Sequence, residues 1–203
     1  MRVSELSERS GVPVATIKYY LREGLVPAGA AIGRRRASYD ETHVRRLRLI
    51  RALRDLCNVP VARIATLIAA LDDPNLDTQV RFGRVQDAVD PPSADVTEAQ
   101  MRIGRDIVAG FGWQVHPATP ALGGLGAAFE AVGDLGEFGL PTDLRPWAEA
   151  AWLVAQAEIA AIPQDASPVE QAEHVALGTA LFARVLLELR LLAEQAVSAE
   201  RPR

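Results

Sequence analysis

A single cysteine, Cys57, leaves this chain without an internal disulfide. Stability must then come from buried apolar surface, and the expected compartment is reducing or indifferent. One thiol also falls short of a soft metal site, which needs two or more such ligands. The three histidines, His43, His116 and His174, lie far apart and show no ligand spacing. Neither a metal nor a cofactor is therefore expected. No uncharged apolar run reaches the roughly 18 residues of a membrane span. The opening residues carry Glu5 and Arg9 where a leader would have its apolar stretch. A cytoplasmic protein with no membrane partner is the expectation, and no repeat or low-complexity segment stands out.

Apolar residues make up 49% of the 203 residues, enough for one large domain or two small ones. The net charge of −4 hides a split. Residues 1–72 hold 13 Lys+Arg against 7 Asp+Glu, whereas residues 73–203 hold 9 against 19. A basic module joined to an acidic partner domain is the footprint of a nucleic-acid-facing protein.

The basic module has an ordered pattern. Ser4 offers an N-cap for a short helix that Gly11 stops. Val12 and Pro13 turn the chain, and Val14, Ile17 and Leu21 then fall at helical spacing. The opposite face carries Thr16, Lys18, Tyr19, Tyr20 and Arg22 before Gly24 closes the helix. Two short helices joined by a tight glycine turn make a helix-turn-helix whose second helix reads DNA. Leu25-Val26-Pro27 and Ala37-Ser38-Tyr39 flank a glycine-containing stretch with Arg34, Arg35 and Arg36, a two-stranded wing with a basic tip. Asp40 caps a helix over 41–56 with a buried stripe of Val44, Leu47, Ile50, Leu53 and Leu56. Arg45, Arg46, Arg48, Arg51 and Arg54 fill its other faces, solvated or salt-bridged for the most part. A further helix comes next, with Ile64, Leu67, Ile68 and Leu71 on one face.

The second half carries weaker signals. Leu76 to Val89 reads as a helix ended by Pro91-Pro92. Asp95 and Glu98 have capping-box spacing ahead of another helix. Residues 109–146, with eight of the fifteen glycines, yield no element. Trp147 begins a helix to about Ile162, and Ser167-Pro168-Val169-Glu170 starts one that runs to about Ala199. That last helix is apolar nearly all round and needs helix neighbours, including those of a second subunit. Trp113, His116, Phe129, Glu130, Trp147 and Trp152 suit an apolar or cationic organic effector, because indole faces attract cations. The same residues serve equally as core and interface. An enzyme built on Glu170/His174 or His116/Glu130 lacks any accompanying nucleophile or metal motif.

The segments VSELSERSGVPVATIKYYLREGLV, RASYDETHVRRLRLIRALRDL and VPVARIATLI resemble, in order, the opening helices, wing exit and second-wing helix of the MerR family of transcriptional regulators. The resemblance covers about a third of the chain. It implies a homodimer on a near-palindromic promoter whose polymerase-contacting elements are spaced too far apart. Bending and untwisting of that double-stranded DNA then lets RNA polymerase engage it when an effector is bound. It places Thr16, Lys18, Tyr19 and Tyr20, with Arg22, at the major groove and its phosphates, and Arg34, Arg35, Arg36 and Tyr39 on the flanking backbone. Two features depart from the family. Ala37 stands where many relatives carry a wing arginine, and the helix at 76–89, which contains Gly83, is short for the long dimer helix of relatives.

The expectation is a mainly α protein. Residues 1–72 form a winged helix-turn-helix with a small β-hairpin, 73–94 a linker helix and proline loop, and 95–203 a helical domain for dimerisation and effector sensing. A ligand-independent architectural DNA-bending protein is the alternative.

Overall fold

The computed structural model describes residues 1–32, 36–89 and 96–200, Arg36 by its backbone alone. Helices α1 (Val3–Ser10) and α2 (Val14–Arg22) are followed by the antiparallel strands β1 (Ala30–Ile32) and β2 (Arg36–Ser38). Ala31 pairs with Ala37 at the centre of this hairpin. Then come α3 (Glu41–Arg51), α4 (Val61–Asp72), α5 (Thr78–Val89), α6 (Glu98–Gly110), α7 (Pro120–Asp134), α8 (Arg145–Ala160) and α9 (Pro168–Ala199). The mainly helical architecture with an N-terminal helix-turn-helix and a two-stranded wing is as the sequence predicts. No described helix is long and apolar enough to cross a membrane.

Local chemistry explains the ends of these elements. The Asp40 carboxylate accepts the Thr42 N–H at 3.0 Å and the His43 N–H at 3.4 Å, capping α3. Ser167 and Glu170 form the reciprocal capping box expected at the start of α9. Some starts differ from expectation. Ser4 lies inside α1, because Arg2 already occupies the flanking extended position. Helix α6 is capped by Thr97, whose hydroxyl accepts from the Gln100 N–H, while Gln100 Oε1 accepts the Thr97 N–H. Asp95 lies outside the described residues. Leu25 and Val26 enter the core ahead of the hairpin and form no strand.

Helix α3 continues into a π-helical turn, Ala52–Leu56, in which the Cys57 N–H reaches back five residues to the Ala52 carbonyl. The wider turn rotates the succeeding residues away from the 3.6-residue register. Leu56, expected on the buried stripe, is 69% exposed as a result. Asn58 then adopts the left-handed conformation that lets the chain turn into α4.

One core cluster joins α1 to α4 and extends without a break to Val85 and Ala88 of α5 and Ala172 and Ala176 of α9. Helices α4 and α5 cap each other reciprocally. Arg81 of α5 donates to the Ala70 and Asp73 carbonyls at the end of α4. Arg63 of α4 donates to the Asp87 and Ala88 carbonyls at the end of α5. A guanidinium at a helix C-terminus satisfies orphan carbonyls and complements the dipole. The glycine-rich stretch supplies α7, which lies flat on α6. Added Cβ atoms at Gly104 and Gly126 would come within 2.0 Å and 1.9 Å of the Leu122 and Gln100 carbonyl oxygens. Helix α8 buries none of its residues.

Candidate nucleic-acid interface

The turn between α1 and α2 is rigid for identifiable reasons. Gly11 has φ 70° and donates its N–H to the Ser7 carbonyl. A Cβ there would also meet the Arg51 guanidinium, which packs over the turn and donates to the Ser10 carbonyl. Ser7 Oγ donates to the Val12 carbonyl at 2.7 Å, and Ser10 Oγ accepts the Val12 N–H. Helix α2 therefore leaves the turn at a fixed angle.

Its back is locked into the core by Ile17 and Tyr20, with Val14 and Leu21 half-buried beside them. Lys18, Tyr19 and Arg22 project into solvent, Tyr19 being 38% exposed, and Thr16 is half-buried at their edge. The sequence places Tyr20 on the outward face with these residues. In the structure it is 1% exposed, and its hydroxyl accepts from Arg54 Nη1 at 2.7 Å. Its aromatic surface drives it inward, and the guanidinium satisfies the oxygen that burial would otherwise orphan. Burial pushes the phenol pKa up, against the opposing pull of Arg54. Tyr20 stays neutral and braces the helix from behind.

The wing follows this helix in the chain and is tied at its base to the N-terminus, the Tyr39 N–H donating to the Met1 carbonyl at 3.0 Å. Arg34 and Arg35 lie outside the described residues, and Arg36 pairs across the hairpin with Ile32 through its backbone. Tyr39 is half-buried, with its ring edge-on to His43 at 5.2 Å. Gly29 makes room for it, since a Cβ there would meet the Tyr39 ring at 2.8 Å and the Ser38 carbonyl at 2.6 Å.

The five arginines of the helix after the wing bind within the chain. Arg48 and Arg51 hold the Arg9 and Ser10 carbonyls at the end of α1, and Arg54 holds Tyr20 of α2. Arg46, itself buried, grips Asp72 with two bonds of 2.6 and 3.1 Å. Arg45 reaches Glu173 at 2.5 Å and Glu170 at 2.6 Å on α9. This stretch, α3 with its π-helical turn, thus fastens the α1–α2 turn, α2, α4 and α9 together. Arginine-rich periodicity alone does not reveal this, because the carboxylates that answer it lie 26 to 128 residues away.

The six effector candidates are dispersed. Trp113 stacks on Trp152 with centroids 5.6 Å apart at 26°. Trp147 and Trp152 are half exposed on α8, and His116 is exposed in the loop before α7. Phe129 is half-buried, and Glu130 accepts from Gln100 across the α6–α7 pair. None of them lines the open cleft of about 700 Å³ between α3 and α9, which is framed by Arg45, Arg48, Glu170, Glu173, His174 and Leu177. Glu170 does not suit acid–base work. The Ser167 N–H and hydroxyl, then Arg45, hold its carboxyl below the usual range and keep it ionised. Burial raises the Cys57 thiol above its ordinary value, which disfavours the reactive thiolate. No cluster of three or more potential metal ligands occurs among the described residues.

Comparisons with known proteins agree with this geometry. Residues 1–71 match the MerR HTH family regulatory proteins. Over its whole length the chain is similar to the crystal structure of SCO5550 from Streptomyces coelicolor A3(2), solved as a candidate transcriptional regulator. The two share 34% identity and superpose with a TM-score of 0.76, covering 99% of this chain and 97% of the other. No curated protein matches.

Proposed function

The chain belongs to the MerR family of helix-turn-helix transcriptional regulators, a family without enzymatic activity, and from that premise we propose that it binds a near-palindromic promoter as a homodimer. Each protomer lays α2 in the major groove. Lys18 and Arg22 meet phosphates or guanine edges, Tyr19 donates its hydroxyl to phosphate, and Thr16 reaches the groove edge. Tyr20 contributes by fixing the helix from the core side. The wing, with Arg34, Arg35, Arg36 and Tyr39, lies against the flanking backbone, and RNA polymerase responds to the distorted promoter. The observation that carries this reading is the exposed Lys18–Tyr19–Arg22 face on a helix whose opposite side is locked by Ile17 and Tyr20.

A genome-wide footprint of the bound protein tests it. Inverted-repeat sites between promoter elements are expected, with half-sites a helical turn or its multiple apart. Single, unrepeated sites would overturn the dimeric reading. Replacing Lys18 by Ala should weaken binding across all sequences and reduce the salt slope by about one unit if it holds a phosphate.

For the effector, the Trp113–Trp152 stack offers indole faces to an apolar or cationic organic molecule. One observation favours the ligand-independent, architectural alternative: the α3–α9 cleft is lined by none of the six candidates. A compound screen by thermal shift separates the two, since a ligand specific for the native state must raise its melting temperature. Tryptophan quenching by the same compound should disappear in Trp152→Ala. A screen without any shift, combined with promoter output indifferent to cell extracts, leaves the architectural reading standing.

A further inference from the structure

Beyond Ala180 every described residue of α9, to its end and through Glu200, is exposed. Helices in proteins draw most of their stability from packing an apolar face and little from propensity. This segment buries none of its residues, Phe182 alone bordering a small cavity beside Ile159 of α8. Its sequence makes the exposure sharper. Phe182, Val185, Leu189 and Leu192 recur at steps of three, four and three residues and form one stripe, each 45–60% exposed. Leu186 and Val197 flank it. The charges lie on the remaining faces, beside the exposed Leu187 and Leu191, and answer one another along the same helix, Arg184 with Glu188 and Arg190 with Glu194. What lacks a partner is therefore apolar.

We propose that this stripe is covered by the same stripe of a second copy of the chain, so that the dimer seam lies on the distal half of α9 and not on α5. The inference rests on the homodimer reading above and names its surface. Heptad-like spacing of apolar side chains is self-complementary, as a two-fold interface requires. Half-exposed leucine, valine and phenylalanine side chains continue along this segment from Phe182 to Val197, the extended apolar surface that a stable dimer, with about 800 Å² covered per partner, requires. A lipid surface fits poorly, because membrane-surface helices are rich in Lys and Arg on the polar face, and here two glutamates balance two arginines. Helix α5 is already engaged, with Val85 and Ala88 buried in its own chain's core. The proximal half of α9 is fastened to α3 through Arg45, Glu170 and Glu173. One continuous helix then joins each reading head to the two-fold axis and sets the distance between the two heads.

Sedimentation velocity of the full chain over a range of concentrations tests the seam. The unaltered protein should be dimeric and Leu189→Glu monomeric. The milder double variant Val185→Ala/Leu192→Ala, which keeps helix propensity, should raise the dimer dissociation constant at least about a hundredfold, because each lost contact counts twice across a two-fold axis. Val80→Glu, on the exposed side of α5, should leave the dimer intact. Dissociation by Val80→Glu with dimers preserved in the α9 variants would overturn the proposed seam while sparing the homodimer. An unaltered chain that stays monomeric at every concentration would overturn both, and so would a monomer that co-sediments with phosphatidylcholine vesicles.

Discussion

Residues 3–71 and residues 98–199 are both helical and both rich in apolar side chains, yet they treat those side chains differently. In the first region Leu6, Ile17, Leu47, Ile50, Leu53, Ile64 and Leu67 are wholly removed from water, and the polar positions of α3 find carbonyls or carboxylates in the same chain. In the second, α8 buries nothing, and the distal half of α9 presents leucines to solvent. The contrast matches the roles proposed for each. A helix that reads DNA has to be held at one angle before it meets the groove, so its back is locked and its front is polar. A surface that binds a second copy or an effector must be apolar and open until its partner arrives.

The largest break in this comparison comes from deleting methyl groups in each region. Leu47→Ala should destabilise the protein by about 2–5 kcal/mol, the range for a fully buried leucine that leaves a cavity. Leu153→Ala, at a position exposed to solvent on α8, should stay within about 0.5 kcal/mol at low protein concentration. Urea unfolding of both variants checks this. Equal losses would mean that α8 is covered in solution by something the single chain does not provide.

The same contrast decides what can be read without a structure. The Asp40 cap, the Gly11 turn and the apolar period define most of the first region, because each depends on residues within a few positions. The Ser4 cap fails because Arg2 already takes the flanking extended position. Tyr20 escapes that reading for a reason of the same kind. On helical spacing it sits between the inner and outer faces, and the deciding contact, Arg54, is 34 residues away. Leu56 escapes it because a π-helical turn changes the period. In the second region the four glycines of α7 look like loop. Gly126, with Gly104 on the facing helix, instead lets two backbones touch, a signal legible only with the carbonyls of both helices in view.

Those two glycines give the intermediate effect. Gly104→Ala and Gly126→Ala drive a methyl into the Leu122 and Gln100 carbonyls and should each cost about 1–3 kcal/mol as α6 and α7 are forced apart. Gly178→Ala in α9 meets nothing within 4 Å, and with ordinary helical φ should stabilise by roughly 0.5–1 kcal/mol. Thermal unfolding of the three variants should therefore move in opposite directions. If all three fall together, the close approach of α6 and α7 is not what selects glycine there.

The smallest effect concerns two acids that look alike. Hydrogen bonds from Thr42 and His43 hold the Asp40 carboxyl well below its ordinary value, and Arg145 lowers that of Asp143 to about 2. A depressed folded-state value contributes stability above the unfolded carboxylate value of about 3.9, and the contribution is lost as pH falls through the folded one. That linkage holds only if the partners are absent from the unfolded chain. Asp40 meets its N–H donors when α3 forms, and α3 forms on the core. Asp143 and Arg145 are two residues apart at the exposed start of α8, so their ion pair needs little of the fold. Asp40→Asn should therefore flatten the fall in melting temperature between pH 4 and pH 2, whereas Asp143→Asn should leave that slope almost unchanged. Equal flattening would show that the segment at the start of α8 is coupled to the core as tightly as α3 is, and the division between a closely packed region and an open one would have to be redrawn.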